Sequence, residues 1–295
     1  MSHSSGPVLG ADGHVDALRS VAGRAAAQMG DENFPVALRL LPRAVAADLG
    51  AVYRYARFVD DVGDDHAVEP ATRLERLDVI ERDVRSLADG GAVLPPVTGL
   101  APLVDEHGVP LATLLDLVEA NRVDQRVAAY ETFADLLDYC ALSAAPVGRI
   151  VLHRAHAATD DNVADSDSVC DALQVLEHCQ DVGEDAAAGR TYLPAVELRR
   201  AGVEPADLRA ARTSPALRRV VAVQVARSRA LLRNGRPLVS RLSGWARVAV
   251  AGYVAGGLAT ADALQAADFG VLEAAVTPGT TRTTWHALRL LGRRA

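Results

Sequence analysis

Aromatic residues are scarce in this sequence, and that scarcity limits what its core can be. Phe, Trp and Tyr make up only 4% of the 295 residues, although 49% of the chain is hydrophobic. A core built from this chain must consist mainly of Ala, Leu and Val, a composition that favours helices. Alternation of polar and apolar residues, the pattern of a half-exposed β-strand, is also nearly absent.

Basic clusters and export signals are missing too. The formal net charge is −7, whereas nucleic acids are bound through clustered Lys and Arg, so we expect no nucleic-acid partner.

Residues 1–13 lack the basic and apolar regions of a secretory signal and are expected to form a disordered tail. The apolar run from Val248 to Ala261 is shorter than the roughly 20 residues that span a bilayer. None of the three cysteines belongs to a CxxC pair, so free thiols are expected. These features predict a cytoplasmic protein and leave peripheral membrane contact and the oligomeric state open.

Helical periodicity, by contrast, recurs along most of the chain. In one stretch apolar residues follow each other at steps of three and four: Leu74, Leu77, Ile80, Val84 and Leu87. Similar patterns predict helices at 14–29, 42–65, 111–128, 131–158, 164–187, 214–243 and 246–268. No linker and no internal repeat divides them. We therefore predict a single all-α domain, residues 14–295, with its helices packed around a central space.

Two acidic segments stand out against this helical background. DDVGDD at 60–65 is echoed by DVGED at 181–185. Carboxylates four residues apart lie on one helix face; the pairs are Asp60 with Asp64, Asp61 with Asp65, and Asp181 with Asp185. Like charges at this spacing destabilise a helix by roughly 0.2–0.5 kcal/mol per pair. A bound cation would offset that repulsion, and Mg²⁺ prefers such oxygen ligands together with phosphates.

A single acidic segment of this kind is more often a solvated helix face than a metal site. Two copies favour metal binding, and the candidate ligands are Asp60, Asp61, Asp64, Asp181 and Asp185. Arg57 and Tyr53 precede the first segment on adjoining faces of the same helix. Arg57 is either one half of a helix ion pair or a guanidinium fork for phosphate oxygens.

Longer motifs around both segments resemble those of a known family. YRYARFVDDVGDD at 53–65, LLDYCALSAAPVG at 136–148 and QVLEHCQDVGEDAAAGRTYLP at 174–194 are similar to squalene and phytoene synthases. ENFPVALRLLP at 32–42 is similar to the bacterial hydroxysqualene synthase branch of that family. The resemblance is specific from about residue 30 to residue 200 and thin beyond.

This resemblance implies a class I isoprenoid synthase fold, in which two aspartate segments face each other across a cavity and hold Mg²⁺ with a prenyl diphosphate. Asp60 with Asp64, and Asp181 with Asp185, would be the metal-binding pairs, and Arg190 and Tyr192 would close over the phosphates. Residues at catalytic or substrate-binding positions would be Asn33, Tyr53, Arg57, Asp124, Tyr139, Gln174, Glu177, His178, Arg190 and Tyr192.

Several positions depart from the family pattern. Glu177 stands where the family usually has Asn, His178 and Cys179 replace an aromatic pair, and Ala141 replaces Arg. Glu177 is either a solvated side chain or an added metal ligand or base, and His178 is either structural or a base. These polar residues leave a second activity open, the transfer of a farnesyl group from farnesyl diphosphate to an indole of a cyclodipeptide.

Other classes of helical protein fit the sequence less well. A terpene cyclase of this fold needs an Asn, Ser and Glu triad, but Cys170 follows Asn162 and Ser166 in place of Glu. An HD-type phosphohydrolase needs a His-Asp dipeptide, which the sequence lacks. A non-catalytic helical module leaves the two acidic segments unexplained. The sequence therefore predicts a Mg²⁺-dependent enzyme that releases diphosphate, nearest to a hydroxysqualene synthase that acts on presqualene diphosphate and water.

Overall fold

The computed structural model describes residues 11–28 and 41–292, and helices dominate both ranges. Within them there is no β-strand, and extended pairing is limited to an isolated parallel bridge between Ala129 and Thr191. The predicted all-α class is therefore confirmed. The predicted tail, residues 1–13, falls mostly outside the described residues, and the first helix already begins at Ala11.

The chain divides into two compact units, one ending at Gln125 and the other beginning at Arg126. Whether they fold as one domain stays a prediction. The described part of the first unit contains α1 (Ala11–Gln28), α2 (Arg43–Gly63), α3 (Pro70–Arg85), α4 (Pro95–Thr98), α5 (Ala101–Asp105) and α6 (Leu111–Asp124). A 3₁₀ turn, Ser86–Asp89, extends α3.

Helix α2 is the central element of the first unit. It follows Pro42, which has no N–H to leave unsatisfied at a helix start. Its buried residues, among them Leu49, Phe58 and Val62, recur at helical spacing, and it packs against α1, α3 and α6. The polar residues of its last turns are thereby left on the opposite side.

The second unit is larger. Its described helices are α7 (Phe133–Ser143), α8 (Ala145–Arg154), α9 (Asp160–Gln180), α10 (Val182–Ala187), α11 (Ala195–Ala201), α12 (Pro215–Gly235), α13 (Leu238–Arg241), α14 (Gly244–Ala266) and α15 (Thr280–Gly292). A short 3₁₀ turn, Asp207–Arg209, lies between α11 and α12. Helix α9 is its centre and packs against α7, α8, α12 and α14.

Capping side chains explain where several of these helices begin. Thr132 and Asp135 form a reciprocal capping box at the start of α7. The Ser214 hydroxyl accepts a hydrogen bond from the Leu217 N–H at the start of α12, where Pro215 occupies the first helical position. These local signals mark where the two helices begin.

The structure corrects some predicted boundaries. The helix predicted over 131–158 is interrupted at Ala144, because Pro146 lacks the N–H that a continuous helix would need. The helix predicted over 164–187 pauses at Asp181, and α15 was not predicted. Cys140, Cys170 and Cys179 are free thiols, as expected. Among the described helices, none is both long enough and apolar enough to cross a membrane.

Candidate active site

The first acidic segment lies at the C-terminal end of α2. The helix ends at Gly63, and the Asp64 N–H still donates to the Asp60 carbonyl at 2.8 Å, which keeps the two residues in helical register. Asp60 and Asp64 are both exposed. A helix C-terminus carries partial negative charge, so two carboxylates there repel each other and the backbone unless a cation is present.

Asp60 has the most strongly perturbed carboxyl group of this segment. It is open to solvent, yet the protein crowded around it removes much of its hydration and raises its pKa to about 6. The Asn121 side-chain amide donates to Asp60 Oδ1 at 2.9 Å and opposes that rise. The charges of Asp64 and Asp124 raise the pKa further, whereas Arg57 lowers it. Four predicted site residues of the first unit are thus within electrostatic reach of one another.

The other two aspartates of the segment are ion-paired. Arg57 Nε lies 3.0 Å from Asp61 Oδ1 in an i,i+4 pair, so the helix ion pair is the observed state of this arginine. Arg76 Nη1 lies 2.8 Å from Asp65 Oδ2, and the arginine side chain is only 9% exposed. Asp65 is therefore a structural residue of the loop that follows α2, while Asp60 and Asp64 remain the predicted metal-binding pair.

Asn121 was missed by sequence reasoning, although it lies one turn before the predicted Asp124. It can approach Asp60 only because Gly63 has no side chain: a Cβ at Gly63 would lie 2.0 Å from Asn121 Oδ1. One turn later, Gln125 Nε2 donates to the Gly63 carbonyl at 3.0 Å and so satisfies the end of α2. Arg73 Nε in turn donates to Gln125 Oε1 at 2.7 Å. This chain of contacts fixes the end of α2.

The second acidic segment repeats this local backbone. Asp181 separates α9 from α10 with φ −98° and ψ 13°, and Asp64 has φ −97° and ψ 9°. Asp181 N–H donates to the Glu177 carbonyl at 3.0 Å, and Asp185 N–H donates to the Asp181 carbonyl at 2.8 Å. The predicted pair of Asp181 and Asp185 therefore keeps helical register across the break, with Glu177 one turn before it. Burial, followed by the charges of Glu177 and Asp185, raises the pKa of Asp181 to about 6.

A cluster of rings adjoins the second acidic segment. The buried His178 ring stacks on Tyr192 with centroids 3.7 Å apart, and Tyr192 is also stacked on Tyr130 at 5.8 Å. Tyr139 lies 5.6 Å from Tyr192. His178 Nδ1 lies 3.9 Å from Asp185 Oδ2. Tyr139, His178 and Tyr192, predicted at separate points of the sequence, thus come together beside Asp185, and Tyr130 joins them without having been predicted.

Arg190 and Tyr192 are held in place by the backbone around them. The Arg190 N–H donates to the Asp185 carbonyl at 2.8 Å, and the Thr191 N–H donates to the Ala128 carbonyl at 2.8 Å. The Ala195 N–H pairs in the same way with the Tyr130 carbonyl at 2.9 Å. Arg190, Tyr192, His178 and Asp185 all line one small cavity. The predicted phosphate-closing residues are therefore next to the predicted second metal pair.

An apolar cavity of about 210 Å³ lies along α9 in the second unit. Most of its lining is aliphatic, and a few polar groups join it, namely Ser143, Ser166, Cys170, Gln174, Glu177 and Tyr253. Gln174 and Glu177 were predicted site residues, whereas Ser166, Cys170 and Tyr253 were not assigned to a pocket. For Ser166 and Cys170 the signal in the sequence is their spacing with Gln174 and Glu177, which places all four on one face of a helix, whereas Tyr253 lies on a different helix and has no such signal.

The donor set suits Mg²⁺ better than a metal that needs a protein-made cage. No group of three or more His, Cys, Asp or Glu side chains arranged for a metal occurs within the described ranges. Mg²⁺ is usually held by one or two carboxylates, with waters and substrate phosphates completing its shell. Asp185 Oδ2 is buried and makes no hydrogen bond to any described residue, so it is the kind of atom that a cation would satisfy. The paired carboxylates therefore fit this ion.

The predicted site residues fall into one set in each unit. The first unit holds Tyr53, Arg57, Asp60, Asp61, Asp64 and Asp124, and the second holds Tyr139, Gln174, Glu177, His178, Asp181, Asp185, Arg190 and Tyr192. Asn33 lies outside the described residues, as does most of the 32–42 motif.

An all-α fold with one carboxylate pair at a helix end in each unit is the arrangement expected of a class I isoprenoid synthase. The family model of squalene/phytoene synthases matches residues 27–289. The chain belongs to the squalene/phytoene synthase family.

Individual relatives agree with this placement. The hydroxysqualene synthase of Rhodopseudomonas palustris is 35% identical over 213 residues, which are 72% of this chain and 72% of that protein. The hydroxysqualene synthase of Zymomonas mobilis is 35% identical over 208 residues, covering 69% and 68%. The crystal structure of a squalene synthase from Alicyclobacillus acidocaldarius, at 35% identity, covers 86% of this chain and 95% of that one with a TM-score of 0.77. A dehydrosqualene synthase at 19% identity has a TM-score of 0.79, which shows the shared fold.

These comparisons confirm the predicted family, the isoprenoid synthase fold and a diphosphate-releasing enzyme. Hydroxysqualene synthases among the relatives support the predicted activity and do not favour farnesyl transfer to an indole.

Proposed function

We propose that the protein converts presqualene diphosphate and water into hydroxysqualene and diphosphate. The observation that carries this proposal is the similarity to hydroxysqualene synthases over more than two thirds of the chain. The twin acidic segments supply what such a reaction needs, because a diphosphate leaving group develops negative charge that must be stabilised.

Asp60 and Asp64 form one proposed Mg²⁺-binding pair, and Asp181 and Asp185 form the other. Asp61 is a further ligand candidate and would have to exchange Arg57 for the ion. Bound Mg²⁺ would neutralise the charge that develops on the diphosphate oxygens.

The arginines have a complementary role in binding the leaving group. Arg57 lies within one turn of Asp61, and Arg190 lines the same small cavity as Asp185. A guanidinium donates two parallel hydrogen bonds to phosphate oxygens, so each arginine can bind the diphosphate beside a carboxylate pair. We propose that Tyr53 on α2 and Tyr192 beside His178 donate further hydrogen bonds to it.

When the diphosphate leaves, a carbocation remains. It must be shielded from bulk water and must react with a single water molecule. The C–O bond to diphosphate breaks with both electrons going to oxygen, and after rearrangement a water oxygen forms the new C–O bond and loses one proton. We propose that the aliphatic lining of the cavity along α9 shields the carbocation from water once the substrate fills it. Glu177 lines that cavity, and we propose it as the acceptor of the proton, with Gln174 orienting the water.

The substrate has a long hydrocarbon part attached to its diphosphate and the product is almost entirely hydrocarbon, so both partition into lipid. We therefore also propose a cytoplasmic enzyme that contacts the membrane peripherally.

Product analysis tests the activity. Purified protein with Mg²⁺ is incubated separately with presqualene diphosphate and farnesyl diphosphate, with and without a tryptophan-containing cyclodipeptide. We expect a thirty-carbon alcohol from presqualene diphosphate by mass spectrometry, and none after chelation of the metal. A farnesyl adduct that requires the cyclodipeptide, with no alcohol formed, would contradict the proposal.

A further inference from the structure

Helix α15 presents two large apolar side chains to solvent. Trp285 is 46% exposed and Leu288 is 66% exposed, while Leu290 on the opposite side is buried in the core of the second unit. The Arg247 guanidinium donates to the Leu291 carbonyl at 3.0 Å and ties the end of α15 to α14. Scattered apolar residues on a surface are ordinary, but these two lie one turn apart on a helix that is firmly docked.

The same helix is basic in an acidic protein. From Ala274 to Ala295 the sequence contains no Asp or Glu and includes Arg282, Arg289, Arg293 and Arg294, whereas the whole chain has a net charge of −7. The Arg289 guanidinium lies over the Trp285 ring at 4.5 Å from its centroid. Cationic and aromatic groups therefore share one face of α15.

Further arginines surround a cavity beside this helix. The cavity, of about 210 Å³, has an apolar floor that includes Leu258 and a rim formed by Arg233, Arg236, His286 and Arg289. Arg233 and Arg289 are exposed, and Arg236 is half-buried. Three guanidinium groups thus line one concave surface made by α12, α14 and α15.

The three arginines at this cavity lack a carboxylate partner in the described part of the chain. Among the residues that the structure describes, Arg233, Arg236 and Arg289 form no ion pair. Several other arginines of the unit are paired, for example Arg149 with Asp167 at 2.8 Å. The nearby Asp262 is shared by Arg229, Arg282 and His286. Unneutralised cations that converge on one cavity call for an anionic partner from outside this unit.

We propose that this surface, defined by Arg233, Arg236, Trp285, Leu288 and Arg289, binds the headgroup region of an anionic phospholipid membrane. Basic residues combined with Trp and Leu on an exposed helix face are the pattern of helices that lie in a membrane interface. Guanidinium groups match the planar, bidentate geometry of phosphate oxygens, and the apolar floor accepts the adjoining glycerol and acyl region. The surface deepens the proposed peripheral contact, but its test needs no turnover.

Vesicle binding tests the proposal on the full chain. The protein is sedimented with vesicles of phosphatidylcholine alone or of phosphatidylcholine mixed with phosphatidylglycerol. We expect binding to the mixed vesicles only, weakening as salt rises, and a drop of about tenfold or more in partitioning for Arg233→Gln combined with Arg289→Gln. Leu288→Ser should weaken binding as well. In a Trp245→Phe background, Trp285 fluorescence should shift to shorter wavelength on the mixed vesicles.

Matched controls remove the same groups elsewhere on the second unit. Arg200→Gln combined with Arg212→Gln removes two exposed charges, and Val223→Ser removes a side chain that is 44% exposed on α12. Both controls should bind vesicles as the wild type does.

Equal binding to neutral vesicles, equal losses in the controls, or the absence of vesicle binding would overturn the proposal. A change of oligomeric state confined to the α15 variants would overturn it in favour of contact with a second copy. Turnover of a soluble substrate analogue, assayed without vesicles, should be unchanged in Leu288→Ser, so the enzymatic proposal is judged separately.

Discussion

Individual aspartates of the repeated acidic segment have different roles, although their spacing makes them look equivalent. Asp65 is fixed by the nearly buried Arg76, and Asp61 is paired with Arg57. Asp60 instead retains a raised pKa beside Asp64, as Asp181 does beside Glu177 and Asp185. A carboxylate held close to others without a cation is destabilised, and it is stabilised when a metal binds.

The first prediction concerns Asp60→Asn and Asp181→Asn. Each should lower turnover about 100-fold or more, because a ligand that stabilises leaving-group charge is lost. Neither should lower the thermal midpoint of the metal-free protein, because both remove a repelled charge. Turnover and differential scanning calorimetry measure the two effects.

Asp65→Asn is the matched control for those variants. It should lower the free energy of unfolding by about 1–3 kcal/mol because the nearly buried Arg76 loses its charged partner. Its dependence on Mg²⁺ concentration should be that of the wild type. Wild-type turnover in Asp60→Asn would show that the first pair does not bind the metal.

The second prediction concerns Glu177, the residue that departs from the family pattern. Glu177→Asn removes an exposed carboxylate that lines the α9 cavity and contributes to the raised pKa of Asp181. If Glu177 accepts the proton from water, the variant should form less alcohol and more hydrocarbon from the same amount of substrate. An unchanged product ratio by mass spectrometry would show that Glu177 is a solvated side chain that does not accept the proton.

At the scale of helices, α2 and α6 meet through a contact that a single methyl group would disrupt. Gly63→Ala would place a Cβ 2.0 Å from Asn121 Oδ1, so Asn121 would have to move and release Asp60. We expect the free energy of unfolding to fall by about 1–3 kcal/mol. The Mg²⁺ concentration that gives half-maximal stabilisation should rise as well, which thermal shift with Mg²⁺ and a non-hydrolysable prenyl diphosphate analogue would measure.

Gly50→Ala on the same helix is the control. There the new Cβ would meet only the end of the Arg54 side chain at 3.4 Å, so a better helix former should be neutral or stabilise by about 0.5–1 kcal/mol. If the two variants behaved alike, the contact between Gly63 and Asn121 would not position Asp60.

The helices with strong apolar periodicity were predictable from the sequence, and so were the acidic residues of the candidate site. Helix α2 and helix α14 lie within about two residues of their predicted limits because three- and four-residue apolar spacing directly reports a buried face. The interruption at Ala144 could have been predicted only by weighing the proline two residues later against that apolar spacing. Helix α15 escaped prediction because threonines dilute its apolar pattern.

Contacts between distant residues were not predictable in the same way. Asn121 reaches Asp60 across 61 positions of sequence, and a lone Asn in a helix carries no mark of its partner. The pairing of Asp65 with Arg76, and of His178 with the Tyr192 ring, likewise depends on how helices and loops pack. The resemblance to a family identified which residues matter, whereas only the packing shows what each one touches.

For the whole molecule, the raised carboxyl pKa values make stability depend on pH in the direction opposite to most acidic groups. Desolvation by the surrounding protein is the first cause of each rise, and the pKa is raised to about 6 for Asp60, about 6 for Asp181 and about 7 for Asp171. An unfolded Asp titrates near roughly 3.9, so the folded protein holds these protons more tightly. Their contribution to stability is therefore complete below about pH 4 and is lost as the pH rises through about 6 to 7.

The last prediction follows from this loss of stability as the pH rises. The metal-free protein should unfold at a higher temperature at pH 5 than at pH 7.5. The measurement must stay above about pH 4.5, because Glu273, whose pKa is lowered to about 2 by Thr213, stabilises the fold only when ionised. Combining Asp60→Asn with Asp181→Asn should reduce the change in the thermal midpoint between pH 5 and pH 7.5. Only the part of that change due to Asp171 should remain. Mg²⁺ with a diphosphate should raise the midpoint most at pH 7.5, where the carboxylates it binds are ionised. A midpoint that rises steadily from pH 5 to 7.5 without metal would mean that these carboxylates are already neutralised by the protein itself, and the two pairs would then have no need of a cation.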